Sequence, residues 1–206
     1  MTAKGGFRRL YSLTNTRSGM VGEMRLAAAL ARAGHNVAKP YWNDDEIDLL
    51  VLFSKGNQLI PIPVQVKSIQ RDANNPKGQQ ATQGLNKKYL QRQYALCLGI
   101  YCPQTDKMWF IHGAERIKAV HAKGVAESKG NRTKYDDISD DKDVPIYVDL
   151  SDQGNPSFDS EWLVDPRYPD TIDKKLFQLR DEILQTNHLA AVIQAAGILT
   201  APTAGG

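Results

Sequence analysis

Apolar side chains recur at Met20, Leu26, Ala27, Leu30 and Ala31, a spacing that lines them along one stripe of a helix over residues 19–33. Ser18 stands where an N-cap is wanted, and Gly34 follows where a left-handed residue closes a helix. Glu23 falls on the same stripe, three residues before Leu26. A carboxylate in an apolar line is the anomaly of this helix. Residues 35–39 predict a short strand ended by Pro40. The next run, EIDLLVLF over 46–53, alternates: Ile47, Leu49, Val51 and Phe53 to one face, Glu46, Asp48, Leu50 and Leu52 to the other. A turn on Lys55-Gly56-Asn57 leads into LIPIPVQVKSI over 59–69. There Ile60, Ile62, Val64 and Val66 share a face, with Gln65 and Lys67 on the opposite one. Pro61 and Pro63 remove two amide donors from one side of this strand, so its first half is expected to be unpaired on that side.

Further along, a polar loop over 71–86 precedes a helix over 87–94, strands over 95–101 and 107–112, and a helix over 113–123. The polar, acidic stretch 124–143 is expected to be a long mobile loop. A short strand over 145–150 and an apolar segment over 160–164 follow. Leu176, Phe177, Leu179, Ile183 and Leu184 define an amphipathic helix over 173–186, with a second helix over 188–196 and a frayed tail from Leu199. The expected organisation is a core over 1–124, with the acidic loop, short strand and C-terminal helices of 125–206 packing on the same domain.

Composition narrows the class. In 206 residues, 41% are hydrophobic and 24% charged, the balance of a globular chain able to bury a core without disulfides. Cys97 and Cys102 make neither a disulfide framework nor a zinc site, and His35, His112, His121 and His188 have no metal-ligand spacing. No apolar run reaches the roughly 20 residues that span a bilayer, and the basic start lacks the apolar stretch of a secretory signal. A cytoplasmic protein without a membrane partner is the expectation. The net charge of +3 hides a division: residues 1–39 carry seven Lys/Arg against Glu23 alone, whereas residues 134–173 carry three against twelve acids. A basic body facing a polyanion and a separate acidic segment fit that division.

The chemistry converges on Glu23, Asp48, Gln65 and Lys67. Gln65 and Lys67 are two apart on one strand face, about 7 Å along it. If the two strands pair, Asp48 meets Gln65 across the ladder and Glu23 reaches both from the covering helix. Oxygen ligands beside a lysine suit a hard cation such as Mg²⁺. Such an ion polarises a phosphoryl oxygen and acidifies a bound water, while Lys67 stabilises charge developing on phosphate. Taken singly, Asp48 could brace a hairpin, Lys67 could be a strand-end charge, and Gln65 could be a structural hydrogen-bonder.

The stretch GMVGEMRLAAALARAGHNVAKPYWNDDEIDLLVLF followed by VQVKS resembles the PD-(D/E)XK nuclease superfamily, over roughly residues 19–112. It is most similar to small resolvase-like and homing-endonuclease-like members. The resemblance implies an α/β, restriction-endonuclease-like three-layer sandwich: a mixed central β-sheet flanked by helices, here with a C-terminal helical extension. It places Asp48 as the metal-binding Asp, Lys67 as the catalytic Lys and Glu23 as the helix carboxylate that completes the site. The carbonyl of Val66 becomes a further metal ligand. Gln65 departs from the usual Asp or Glu, in the Gln-x-Lys form that some homing endonucleases of the superfamily carry. It lowers the charge of the metal site. Ile47 stands where a proline often precedes the Asp.

The implied function is a metal-dependent DNA endonuclease using Mg²⁺, with Mn²⁺ as a substitute, acting on DNA and pairing as a homodimer. The alternative is a catalytically inactive nuclease-fold protein that binds nucleic acid or serves as a partner subunit. Lys87, Lys88 and Arg92 on the helix after the polar loop, with Lys77 in the loop, are the candidate DNA-phosphate contacts. The plainer reading of these cations is a solvated face. Asp44, Asp45 and Glu46 read as a solvated turn.

Overall fold

A computed structural model describes residues 15–40, 47–55, 58–69, 79–81, 84–92, 94–126, 132–149, 162–164 and 170–185. The elements run α1 (Asn15–Arg32), β1 (Asn36–Ala38), β2 (Leu49–Lys55), β3 (Gln58–Ser68), β4 (Gln79–Ala81), β5 (Leu85–Asn86), α2 (Lys87–Arg92), β6 (Cys97–Cys102) and β7 (Lys107–His112). They continue with α3 (Ala114–Ala126), a 3₁₀ turn (Tyr135–Asp137), β8 (Asp143–Val144), β9 (Tyr147–Asp149), β10 (Leu163–Val164) and α4 (Asp170–Gln185).

The period-2 pattern of the strands becomes a six-stranded sheet of order β1-β2-β3-β6-β7-β10. The β3–β6 pair is parallel and the others are antiparallel, so the sheet is mixed. Leu49, Val51 and Phe53 of β2 and Ile60, Ile62, Val64 and Val66 of β3 bury on one face beneath α1 and α4. Leu98, Ile100, Trp109 and Ile111 bury on the other face, against α2, α3 and the strands of 143–149. The result is a three-layer α/β sandwich with a mixed central sheet and a C-terminal helix, as the resemblance implies. α4 contributes Ile172, Leu176, Leu179 and Ile183 to the same core as α1, and β10 extends the main sheet.

The β3–β6 ladder begins only at Val64, whereas β3 pairs with β2 from Gln58 onward. Pro61 and Pro63 cannot donate, so the ladder to β2 is made through the even-numbered residues and both ring nitrogens face away from β2. Among the described residues, the half of β3 that the prolines mark pairs with β2 only, in line with the sequence expectation.

Three local expectations are corrected. The first helix begins at Asn15, so Ser18 lies within it rather than capping it. Met20 is 60% exposed, and the buried stripe is Gly22, Leu26, Ala29 and Leu30. The reason is close packing: a Cβ on Gly22 would lie 2.6 Å from Ser68 Oγ, and one on Gly99 2.5 Å from Leu26 Cδ2. Helix and sheet meet through missing side chains, which turns the glycine face inward. Lastly, the stretch expected as a mobile loop is structured where it is described. α3 runs to Ala126, and residues 132–149 hold the 3₁₀ turn, β8 and β9, with Ile138 and Val144 buried. β8 pairs with β5 and β9 with β4, so this acidic segment gains backbone partners from residues 79–86. The Gly34 stop is as expected, at φ 86°. The expected helix over 188–196 and the tail lie outside the described residues.

Candidate active site

The antiparallel register sets Leu49 against Val64, which brings Asp48, just before β2, beside the end of β3. The Asp48 N–H donates to the Val64 carbonyl at 3.0 Å. Beyond that pair the Val66 N–H, pointing toward β2, donates to Asp48 Oδ2 at 2.6 Å. Gln65 Nε2 donates to the same oxygen at 2.8 Å. A side-chain carboxylate therefore extends the ladder by one step where the main chain of β2 has turned away. N–H and C=O of one strand residue point to the same side, so the Val66 carbonyl is directed to the Asp48 side as well.

Burial pushes the Asp48 carboxyl above its ordinary range, opposed by the Val66 N–H; the charge of Glu23 pushes it further up, against Lys67 and Lys39. Two carboxylates and two lysines thus act on one another around the end of β3. Gln65 is only 3% exposed, and its Oε1 has no hydrogen-bond partner among the described residues. An orphaned buried acceptor costs about 1–3 kcal/mol. Lys67, two residues on, is half-buried at the strand end.

Glu23 is delivered by α1, whose approach over Gly22 brings it to this end of the sheet. Its side chain is 22% exposed, and Lys39 Nζ donates to Oε2 at 2.7 Å. That bond, with the charge of Glu23, raises the Lys39 pKa. Lys39 is the residue that the sequence reading missed. It follows β1, whose pairing of Ala38 with Leu50 carries the chain toward Asp48.

The donor set suits a hard cation. Asp48 and Glu23 repel each other, Gln65 Oε1 lacks a donor, and the Val66 carbonyl faces the same side. A cation would relieve both the repulsion and the unsatisfied acceptor, and oxygen-only donors of this kind favour Mg²⁺-class ions. Charge is the weak point: no cluster of three or more His, Cys, Asp or Glu side chains able to hold a metal occurs among the described residues. Asp44, Asp45 and Glu46 lie outside them.

The candidate DNA contacts separate. Lys88 and Arg92 are exposed on α2, and Lys77 lies outside the described residues. Lys87 is 7% exposed: its Nζ donates to the Ile138 carbonyl at 2.6 Å, stands 3.6 Å from Asp140 Oδ1 and lies over the Tyr135 ring at 5.0 Å. Its backbone N–H donates to the Lys142 carbonyl. Lys87 therefore anchors the acidic segment to α2. Lys87→Ala is expected to cost about 2–4 kcal/mol in urea unfolding, because it removes a buried stem and orphans a carbonyl. Lys88→Ala should stay within about 0.5 kcal/mol of wild type. Equal effects would remove Lys87 from this role.

No protein-family model matches the chain, and no curated relative matches it. One solved structure, a bacterial homing endonuclease, aligns with a TM-score of 0.37 at 12% identity, over 48% of this chain and 70% of that one. So slight and low-identity a likeness assigns no function. Among the described residues, no helix is long and apolar enough to cross a membrane.

Proposed function

We propose that this chain is a metal-dependent endonuclease that hydrolyses phosphodiester bonds in DNA. The observation that carries the reading is the juxtaposition of Asp48, Gln65 and Lys67 at the end of the β2–β3 ladder, with Gln65 Oε1 buried and without a hydrogen-bond partner among the described residues. Asp48, Glu23, Gln65 Oε1 and the Val66 carbonyl are the groups that would hold the ion. When bound, Mg²⁺ or Mn²⁺ supplies Lewis acidity toward a phosphoryl oxygen and lowers the pKa of a coordinated water. The chain's own residues do the rest. The Val66 amide and Gln65 Nε2 fix the orientation of the Asp48 carboxylate. Lys67 places an ammonium where it donates to a non-bridging phosphate oxygen as negative charge builds there. Lys39 balances Glu23 and adds positive potential toward the incoming backbone. The chain contributes one such site, so cutting both strands would call on a second copy, whereas one copy would nick.

The test is incubation of supercoiled plasmid and branched duplexes with Mg²⁺, Mn²⁺ or EDTA, resolving nicked from linear products. Cation-dependent cutting is expected. Binding without cutting under every cation would favour the second reading, a nuclease-fold binding protein or partner subunit. That reading is supported by the neutral Gln65 in the motif and by the Lys39 ammonium already on Glu23. Neither binding nor cutting of any DNA would overturn both readings.

A further inference from the structure

α1 brings a second charged side chain to the same end of the sheet. Glu23 goes toward Lys39 and Asp48, whereas Arg25 goes the other way, to the β6–β7 turn. Arg25 Nη2 donates to both oxygens of Asp106, at 2.9 and 3.1 Å, and the Tyr101 hydroxyl donates to Asp106 Oδ1 at 2.8 Å. β6 runs parallel to β3 with Tyr101 opposite Ser68, so this turn leaves the sheet at the edge where Lys67 sits. A Cβ added at the same Gly22, which would meet Ser68, would also lie 3.5 Å from Tyr101 Cβ. Arg25 and Lys67 thus stand at the same end of the sheet, Arg25 on the face that α1 covers and Lys67 on the opposite face.

The form of the Arg25–Asp106 contact is informative. A carboxylate that simply clamps an arginine usually meets two nitrogens in a parallel fork. Here both bonds to Asp106 leave one nitrogen, and the guanidinium also interacts with the Tyr101 hydroxyl. Both side chains are 45% exposed, where an ion pair contributes little to stability. Asp106 holds this position at φ 51°, the left-handed region that aspartate tolerates better than most residues. The contact orients a guanidinium more than it stabilises the fold.

We infer that Arg25 is a phosphate-contact residue, presented by Asp106 and Tyr101 to a backbone phosphate of DNA flanking the bond next to Lys67. The inference rests on the endonuclease reading and adds the residue that registers the strand on the sheet rim. Asp106 and Tyr101 are positioning residues, and the guanidinium exchanges part of its contact with Asp106 for the phosphate.

The experiment measures binding of a fluorescein-labelled duplex by anisotropy in EDTA over a KCl series, for wild type, Arg25→Gln and Asp106→Asn, with thermal melts of each. Arg25→Gln is expected to weaken binding about five- to tenfold and to lower the slope of log K against log salt by about one, the signature of one lost phosphate contact. Asp106→Asn keeps a residue that accepts a positive φ and an oxygen that still accepts from Arg25, while removing the charge that competes with phosphate, so binding should hold or tighten. Unchanged slope in Arg25→Gln, with wild-type binding intact, would overturn the inference and leave the endonuclease reading standing. Equal weakening by both variants, in step with lowered melting temperatures, would also overturn it, because the pair would then be a structural tie. Absence of salt-sensitive binding by wild type would overturn the inference together with the reading beneath it.

Discussion

On the endonuclease reading proposed above, an Asp48→Asn protein is expected to fold, to lie within about 1 kcal/mol of wild type in stability, and to lose at least about 100-fold in cation-dependent DNA cleavage. The stability half follows from what the carboxylate experiences. Burial first, and Glu23 after it, disfavour its charge; the Val66 N–H, Lys67 and Lys39 oppose them only in part, so the pKa is raised. An asparagine oxygen can still accept from Val66 and Gln65 without carrying a charge that its surroundings resist. The activity half follows because the cation would lose one of its two carboxylates. Lys67→Ala should lose cleavage to a similar degree but gain nothing in stability, since Lys67 favours the ionised form of Asp48. Urea unfolding and plasmid cleavage on the same preparations measure both halves. A stability loss beyond about 2 kcal/mol with cleavage intact would make Asp48 a structural brace.

The second large effect is on acid stability. His112 is buried at the end of β7, and its pKa falls from 6.5 to about 4, because burial resists its charge and Arg116 and Lys175 repel it. Gln178 and Glu182 oppose this in part, and Arg116 also holds Glu182 bidentately at 2.6 and 3.0 Å. In the unfolded chain the imidazole protonates near its ordinary value; in the folded protein it remains neutral until about pH 4. The unfolded state therefore binds the extra proton across this window, and stability falls as pH falls. The full contribution is about 3 kcal/mol, present above the unfolded value and lost toward the folded one. Glu182, whose carboxyl Arg116 holds below its ordinary range, loses stability in the same direction at lower pH. Unfolding free energies at about pH 7.5 and about pH 4 should differ less in His112→Leu than in wild type, by about 2–3 kcal/mol. Parallel pH dependences would exclude His112 as the source.

The juxtaposition of Asp48, Gln65 and Lys67 was legible in the sequence because strand alternation is strict. Once Val64 and Val66 are buried, Gln65 and Lys67 must face the other way, and a short hairpin brings Asp48 to their level. The layers were legible for the same reason. What was hidden depends on pairings that local pattern does not encode. Lys39 joins the site only because β1 pairs with β2, although its place just after a short strand was a usable signal. Arg25 meets Asp106 across 81 residues of sequence. Lys87 reads as a surface cation until a segment 51 residues downstream covers it. The buried face of α1 was misread because a stripe of large apolar side chains suggests one face, while close approach through Gly22 and Gly99 selects another. Glycine contributes to packing by what it lacks, and hydrophobic periodicity gives that no weight.

The one-sided half of β3 bears on how the protein behaves in a crowded solution. From Gln58 to Pro63 this strand pairs with β2 alone among the described residues, and Ile60 to Pro63 are buried, so its second side meets strands of other molecules when the fold loosens. Pro61 and Pro63 withhold both N–H groups that would face such a visitor, so a second chain could form no continuous ladder there. Pro61→Val with Pro63→Val would restore those donors. The price of a more regular strand would be a sticky margin, visible as aggregation that rises with protein concentration while the folded core is unchanged.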